Sequence, residues 1–159
     1  MVSKKQFKNL KSLSNYLQDN LPNLILNDAK FLSVLQNEMR DAVYEVVYKH
    51  YTPTQYQRRK DNGGLSDINT MQITEAFFEG DNFIMLFENL AKGNDTLSDE
   101  YLTDYIEEGI PDEYLTYGEG AWSEPRPFVE ATYNAIKADP KPLVNALKDV
   151  FRKYGLKVR

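Results

Sequence analysis

The chain contains no cysteine and a single histidine, His50. The first absence excludes disulfide scaffolds, thiolate nucleophiles and thiolate zinc centres. The second leaves no histidine pair for metal binding, and His50 itself follows a tyrosine-rich apolar stretch, where packing or capping accounts for it better than general-base chemistry. No apolar run approaches membrane-spanning length. Met1-Val2-Ser3-Lys4-Lys5-Gln6-Phe7 is basic but leads into an amphipathic pattern, not the continuous apolar stretch of a secretory signal, so the expectation is a soluble protein made inside the cell. There is no internal repeat and no low-complexity linker. What is present is 159 residues with 42% apolar and 13% aromatic content, enough to bury one ordinary core.

The net charge of -5 conceals an uneven distribution. Residues 1 to 60 carry ten Lys and Arg against five Asp and Glu, residues 61 to 124 carry one against sixteen, and residues 125 to 159 carry eight against three. An acidic middle between basic ends is compatible with a solvated acidic surface, with pairing inside the monomer, or with a basic surface meeting the next subunit's acidic one in a ring.

Helical patterns occupy both ends. Phe7, Leu10, Leu13 and Leu17 form one apolar stripe that stops before Leu21-Pro22, predicting a short first helix or arm over residues 1–27, ahead of a domain at 28–159. After Asn27-Asp28, which suit an N-cap, Phe31, Leu35, Met39, Ala42, Val43, Val46 and Val47 predict the longest helix, running to Thr52-Pro53. Met71 to Phe78 and Phe83 to Phe87, separated by Glu79-Gly80-Asp81-Asn82, predict a hairpin. Ser98 is placed to cap a short helix that ends at Gly109, and the aromatic stretch from Ile110 to Glu124 reads as a loop. Pro127 opens a helix, and Asp139-Pro140 restarts one that runs to Gly155. The expected fold is α+β, a small antiparallel sheet packed against the long helix of the N-terminal half and the C-terminal helices.

Two blocks stand out because they put aromatic rings, arginines and turn residues where a chain usually carries interchangeable polar linker. The first is Tyr51 to Asp67, with Tyr56, Arg58, Arg59, Gly64 and Leu65; the second is Trp122 to Phe128, with Arg126. Gly63-Gly64 suit a tight turn, Tyr56 and Arg58 suit an anchor after the long helix, Arg126 is expected to meet a carboxylate and Phe128 to pack inward. Neither block is a catalytic constellation. Ser98 and Ser123 have no local base, and Gly63-Gly64 and Gly118-x-Gly120 lack the strand, lysine and helix of a phosphate loop. The acids Asp95, Asp99, Glu100, Asp104, Glu107 and Glu108 lack the glycine-centred spacing of a calcium loop. Arg58-Arg59-Lys60 beside tyrosines is too short a basic stretch for a dedicated nucleic-acid binder in an acidic chain. No cofactor and no metal ion are expected, and the reading is non-enzymatic.

Taken together, Tyr51, Pro53, Tyr56, Arg58-Arg59 and Gly64-Leu65-x-Asp67, the strand pair, Ile106-Glu107-x-Gly109, Pro125-Arg126-Pro127-Phe128 and the closing Lys153-Tyr154-Gly155-Leu156-Lys157-Val158 resemble the small neck proteins of tailed bacteriophages. These are the tail-completion or head-tail joining proteins, and the resemblance covers roughly residues 28 to 159. It implies a structural virion protein, made in the host bacterial cytoplasm, that assembles with copies of itself in a ring. Its partners would be neighbouring neck, connector or tail proteins and passing DNA, bound without sequence preference, with no membrane. In that setting Asp99, Asp104, Glu107 and Glu108 become candidates for a negative channel wall that DNA slides past. The length and acidity of residues 91 to 124 depart from the pattern. Two other classes are compatible with the residues: a small acidic interaction or immunity-type domain binding a basic partner, and a hydrolase using paired acids such as Asp104 and Glu107.

Overall fold

A computed structural model describes residues 4–50, 52, 57–93, 101–109 and 124–157. The first helix, α1, spans Leu10–Leu26 and starts from a reciprocal cap: Ser12 N–H donates to the Asn9 side chain at 2.9 Å, and the Asn9 N–H donates to the Ser12 hydroxyl at 3.3 Å. It does not stop before Leu21-Pro22 as its stripe predicts. Pro22 lies inside the helix, and Leu21, Leu24 and Ile25 of the last turns are buried. An interior proline costs about 3 kcal/mol through its missing N–H and its ring. Burying three large aliphatic side chains, at roughly 1.5–3 kcal/mol each, outweighs that.

Asp28 accepts from the Phe31 N–H at 2.9 Å and caps α2, Ala29–Ala42. The helical path continues past α2 as a π turn, Val43–Tyr48, closed by Lys49 N–H donating to Tyr44 O at 3.0 Å. The sequence predicts ordinary α-helix here, and its apolar spacing supplies the reason for the difference. Phe31, Leu35, Met39, Val43 and Val47 are all buried and recur every fourth residue. On an α-helix each such step rotates the side chain by about 40°. Widening the last turn removes part of that drift and keeps Val47 on the buried face.

The hairpin is formed by β1, Met71–Glu79, and β2, Asn82–Asn89, entered through a 3₁₀ turn at Ile68–Thr70. Gly80 takes the left-handed conformation its turn requires, φ 61°, and the Phe78 and Phe83 rings meet across the strands at 5.2 Å. Next come α3, Leu102–Glu108, which ends at Gly109, then α4, Phe128–Ala138, and α5, Lys141–Lys153, after Asp139-Pro140. Among the described residues, five α-helices with a two-stranded antiparallel sheet make the α+β fold expected from the sequence. Ser98, expected as the cap of α3, lies outside the described residues. Among the described residues no helix is long and apolar enough to cross a membrane.

The chain divides into two compact units. The first comprises Met1–Leu35, Ile73–Phe87 and Asp139–Arg159. Here α1 packs on α5, with Ile25, Phe31, Ala146 and Val150 buried. Lys153 pairs with Asp28 at 2.5 Å, Lys30 pairs with Asp149, and Lys5 N–H donates to Gly155 O at 3.1 Å. The second comprises Gln36–Gln72 and Glu88–Ala138. In it α4 packs against the π turn, and Met39, Val43, Val47, Met71, Ile106 and Phe128 are buried.

Candidate functional site

The first block is built as a knot of turns hung from the π turn. Arg58 donates to Tyr48 O at 3.2 Å, and its guanidinium lies 4.5 Å from the centre of the Tyr48 ring. A carbonyl at the end of a helix has no partner further along the helix, so a cation there satisfies the acceptor and complements the helix dipole. Arg59 donates to Lys92 O. Both arginines thus act on main-chain carbonyls.

From there the chain folds back on itself. Asn62 N–H donates to Arg59 O, Gly64 N–H to Lys60 O and Asp67 N–H to Gly64 O, each at 3.0 Å. Closing these turns places Lys60 at φ 48° and Gly63 at φ 78°. Gly64 is needed for a different reason. A Cβ there would stand 2.6 Å from Lys60 O and 2.8 Å from Lys60 N, so no side chain fits.

Asp67 closes the knot. Its carboxylate accepts from Gly63 N–H at 2.7 Å, from Asn69 N–H at 2.9 Å and from the Asn69 side chain at 2.8 Å. Burial works to raise its pKa, but those donors more than offset burial and hold the carboxyl below the usual aspartate range. Buried Ser66 donates to Asp61 at 2.9 Å, and Leu65 is buried beside it.

Asn89, at the end of β2, ties the knot to the hairpin. Its amide donates to Leu65 O at 2.7 Å, and its side-chain oxygen accepts from Ala91 N–H at 3.1 Å and from the Thr70 hydroxyl at 3.2 Å. Its carbonyl accepts from Thr103 of α3 at 2.7 Å. The residue is 2% exposed, so each of these bonds replaces water that cannot reach it. The sequence reading missed Asn89 because a lone asparagine after an apolar run carries no local signal, and three of its four partners, Leu65, Thr70 and Thr103, are distant in the chain.

The second block joins α3 to α4. Arg126 N–H donates to Ile106 O, and Phe128 N–H donates back to Arg126 O around Pro127, both at 2.8 Å. Arg126 is buried and Phe128 is 0% exposed, its ring in the core of the second unit. Glu107 accepts from Val129 N–H at 2.5 Å and so caps the amino end of α4. Burial raises the Glu107 carboxyl above its usual range; the Val129 N–H opposes the rise, and the charge of Glu130 adds to it.

The expected site residues therefore separate by role. Arg58, Arg59, Gly64, Leu65 and Asp67 lie together in the knot, while Arg126 and Phe128 lie at the α3 to α4 junction. Among the acids considered for a channel wall, Asp104 and Glu108 are exposed, whereas Glu107 is half-buried and engaged at α4. Tyr51, Tyr56, Asp99 and Trp122 lie outside the described residues. A cavity of about 510 Å³ beside the knot is lined by Thr52, Arg58, Arg59, Lys60 and Asp61 among others. His50 is exposed.

No curated protein and no solved structure matches the chain. A family model, YomN, matches residues 9–153, a stretch that holds all five helices, the hairpin and both blocks. The family name derives from a Bacillus phage and points to a phage protein. The chain belongs to the YomN family.

Proposed function

We propose that this chain is a non-enzymatic structural protein of the phage virion, a subunit of the head-tail junction that joins head to tail around the DNA channel. The observation that carries the reading is where the polar groups of the first block are used. Arg58, Arg59, Ser66 and Asp67 all bond to groups of their own chain, four of the acceptors or donors being main-chain groups. Side chains engaged in this way hold a joint in shape. The YomN match and the resemblance of the two blocks to neck proteins supply the phage setting.

On this reading the knot is a rigid elbow between the helix that ends at Tyr48 and the turn that leads into Met71, and the Pro125 to Phe128 block does the same between α3 and α4. Rigid elbows suit a subunit that keeps one shape under the load of packaging and ejection. The test is the composition of purified particles. The protein should be present in stoichiometric amounts in complete virions, and phage lacking it should accumulate heads and tails that do not join. Normal particles without the protein contradict the proposal, and copurification with one soluble basic partner favours the interaction-domain alternative.

A further inference from the structure

The first unit ends in a concentrated basic surface. The bond from Lys5 N–H to Gly155 O seats the segment before α1 on the end of α5, two residues from Lys157, and the Lys5 ammonium rests on Tyr16 of α1. Lys4 precedes it on the same segment, and Lys8 and Lys11 flank the start of α1. All five lysines are exposed, and none forms an ion pair among the described residues. Two acids of the first unit are committed to ion pairs, while Asp19 of α1 is exposed and forms none among the described residues. Asp149 pairs with Lys30 and Arg152, and Asp28 pairs with Lys153. Among these cations stands Leu10, in the first turn of α1 and 84% exposed.

The whole units carry opposite charge. The first holds eleven Lys and Arg against seven Asp and Glu, and the second holds eight against seventeen. In the second, Asp104 and Glu108 stand one helical turn apart on α3, and Glu130 lies in the first turn of α4; all three are exposed. Glu130 also adds to the raised pKa of Glu107, as uncompensated neighbouring carboxylates do.

We infer that the basic α1 to α5 end of the first unit is a docking surface for the acidic second unit of another copy of this chain, so that copies join head to tail. The inference rests on the ring reading above for its occupant. Like ends repel and unlike ends attract, so charge sets the orientation, and because the two surfaces differ the contact is heterologous and closes into a ring when its rotation permits. Leu10 supplies exposed apolar area between Lys8 and Lys11 in the chain. Duplex DNA is the other polyanion a basic surface can hold. The chain's own acidic surplus favours a copy of itself over phosphate.

The experiment uses the full chain and two charge reversals, K8E/K11E on the basic surface and D104K/E108K on the acidic one, all at exposed positions whose folding is checked by circular dichroism. Sedimentation velocity of the parent at low salt should show concentration-dependent association that weakens about tenfold or more when salt rises past the point where the Debye length falls to about 6 Å. Each variant alone should associate about tenfold more weakly than the parent. An equimolar mixture of the two variants should form a one-to-one pair, since each keeps the surface the other has lost. A parent that stays monomeric at low salt, variants that associate like the parent, or a mixture that stays monomeric overturns the inference. So does K8E/K11E losing binding to a short DNA duplex while its self-association is unchanged. Particle composition separates this from the neck reading. K8E/K11E incorporated normally into virions overturns the docking surface and leaves the neck reading intact, whereas salt-sensitive association of a chain absent from virions does the reverse.

Discussion

At the residue scale, adjacent or similar residues differ because their backbones do. Gly64 sits where any Cβ would strike the main chain of Lys60, while Gly80 has open space around its Cα and only the positive φ to satisfy. G64A should therefore cost roughly 2–4 kcal/mol in urea unfolding, and G80A roughly 1 kcal/mol. Equal costs at the two positions would mean that the knot relaxes around the new methyl group. The need for flexible backbone at Gly63-Gly64 is legible in the sequence, because two glycines after a charged run mark a turn. That Gly64 is the one without room is not legible, since the obstacle is a carbonyl oxygen four residues earlier whose position depends on the closed turn. Asn89 is the stronger case. Its amide nitrogen donates one bond and its amide oxygen accepts two, and N89A should cost about 2–3 kcal/mol by leaving Leu65 O and Ala91 N–H without partners in a dry site.

Elements in this chain are set largely by how they end. Asn27-Asp28 were identifiable as cap residues because short polar side chains before an apolar stripe have one common use; Asp28 takes that role at α2, and Asn27 instead donates to Asn23 O at the end of α1. The Asn9 cap was missed, because the apolar stripe begins at Phe7, ahead of it. The cap of α4 was not identifiable. It comes from Glu107, on another helix, and local pattern cannot find a partner supplied by tertiary structure. E107A should cost about 1 kcal/mol, whereas E107Q keeps an acceptor for Val129 N–H and removes a charge that burial and Glu130 both disfavour. We expect E107Q to unfold within about 0.5 kcal/mol of the parent; a loss equal to that of E107A would assign the stabilisation to the charge. The π turn at Val43–Tyr48 is legible only in retrospect, through the unbroken four-residue spacing from Phe31 to Val47. That spacing and ordinary amphipathic helix look alike until the drift over several turns is counted.

For the whole molecule, charge governs both stability and assembly. Asp28, Asp67 and Asp149 hold their protons more weakly in the folded chain than free aspartate does: at Asp28 and Asp67 burial acts the other way and is outweighed by donors, Lys153 among them at Asp28, and at Asp149 the hydrogen bonds from Lys30 and Arg152 dominate. The unfolded chain therefore binds more protons in acid. The stability these groups contribute is complete above the ordinary aspartate pKa of about 3.9 and is lost as pH falls through their lower folded values. Glu107 runs in the opposite sense, with its contribution present in acid and lost as pH rises through its raised value. Three groups against one predict a urea midpoint that drops between about pH 5 and pH 3. A midpoint that is flat or rises toward acid would contradict the ion pairs of the first unit and the donors around Asp67. The α+β class, the hairpin and the closing helices follow from period and turn chemistry alone. The division into two units does not, because α2 runs through both without any break in its apolar spacing.

The charge asymmetry was visible from composition, but its use depends on which residues share a surface. Lys5 and Gly155 are far apart in sequence, and the bond between them brings the basic segment before α1 to the basic end of α5. The central claim is that this member of the YomN family is a structural subunit of the virion neck, and cryo-electron microscopy of particles from a phage that encodes it tests this most directly. The account predicts a ring of this chain between head and tail, with the α1 to α5 end of each copy against the acidic unit of the next. Complete particles with no density for the chain at that junction would contradict it.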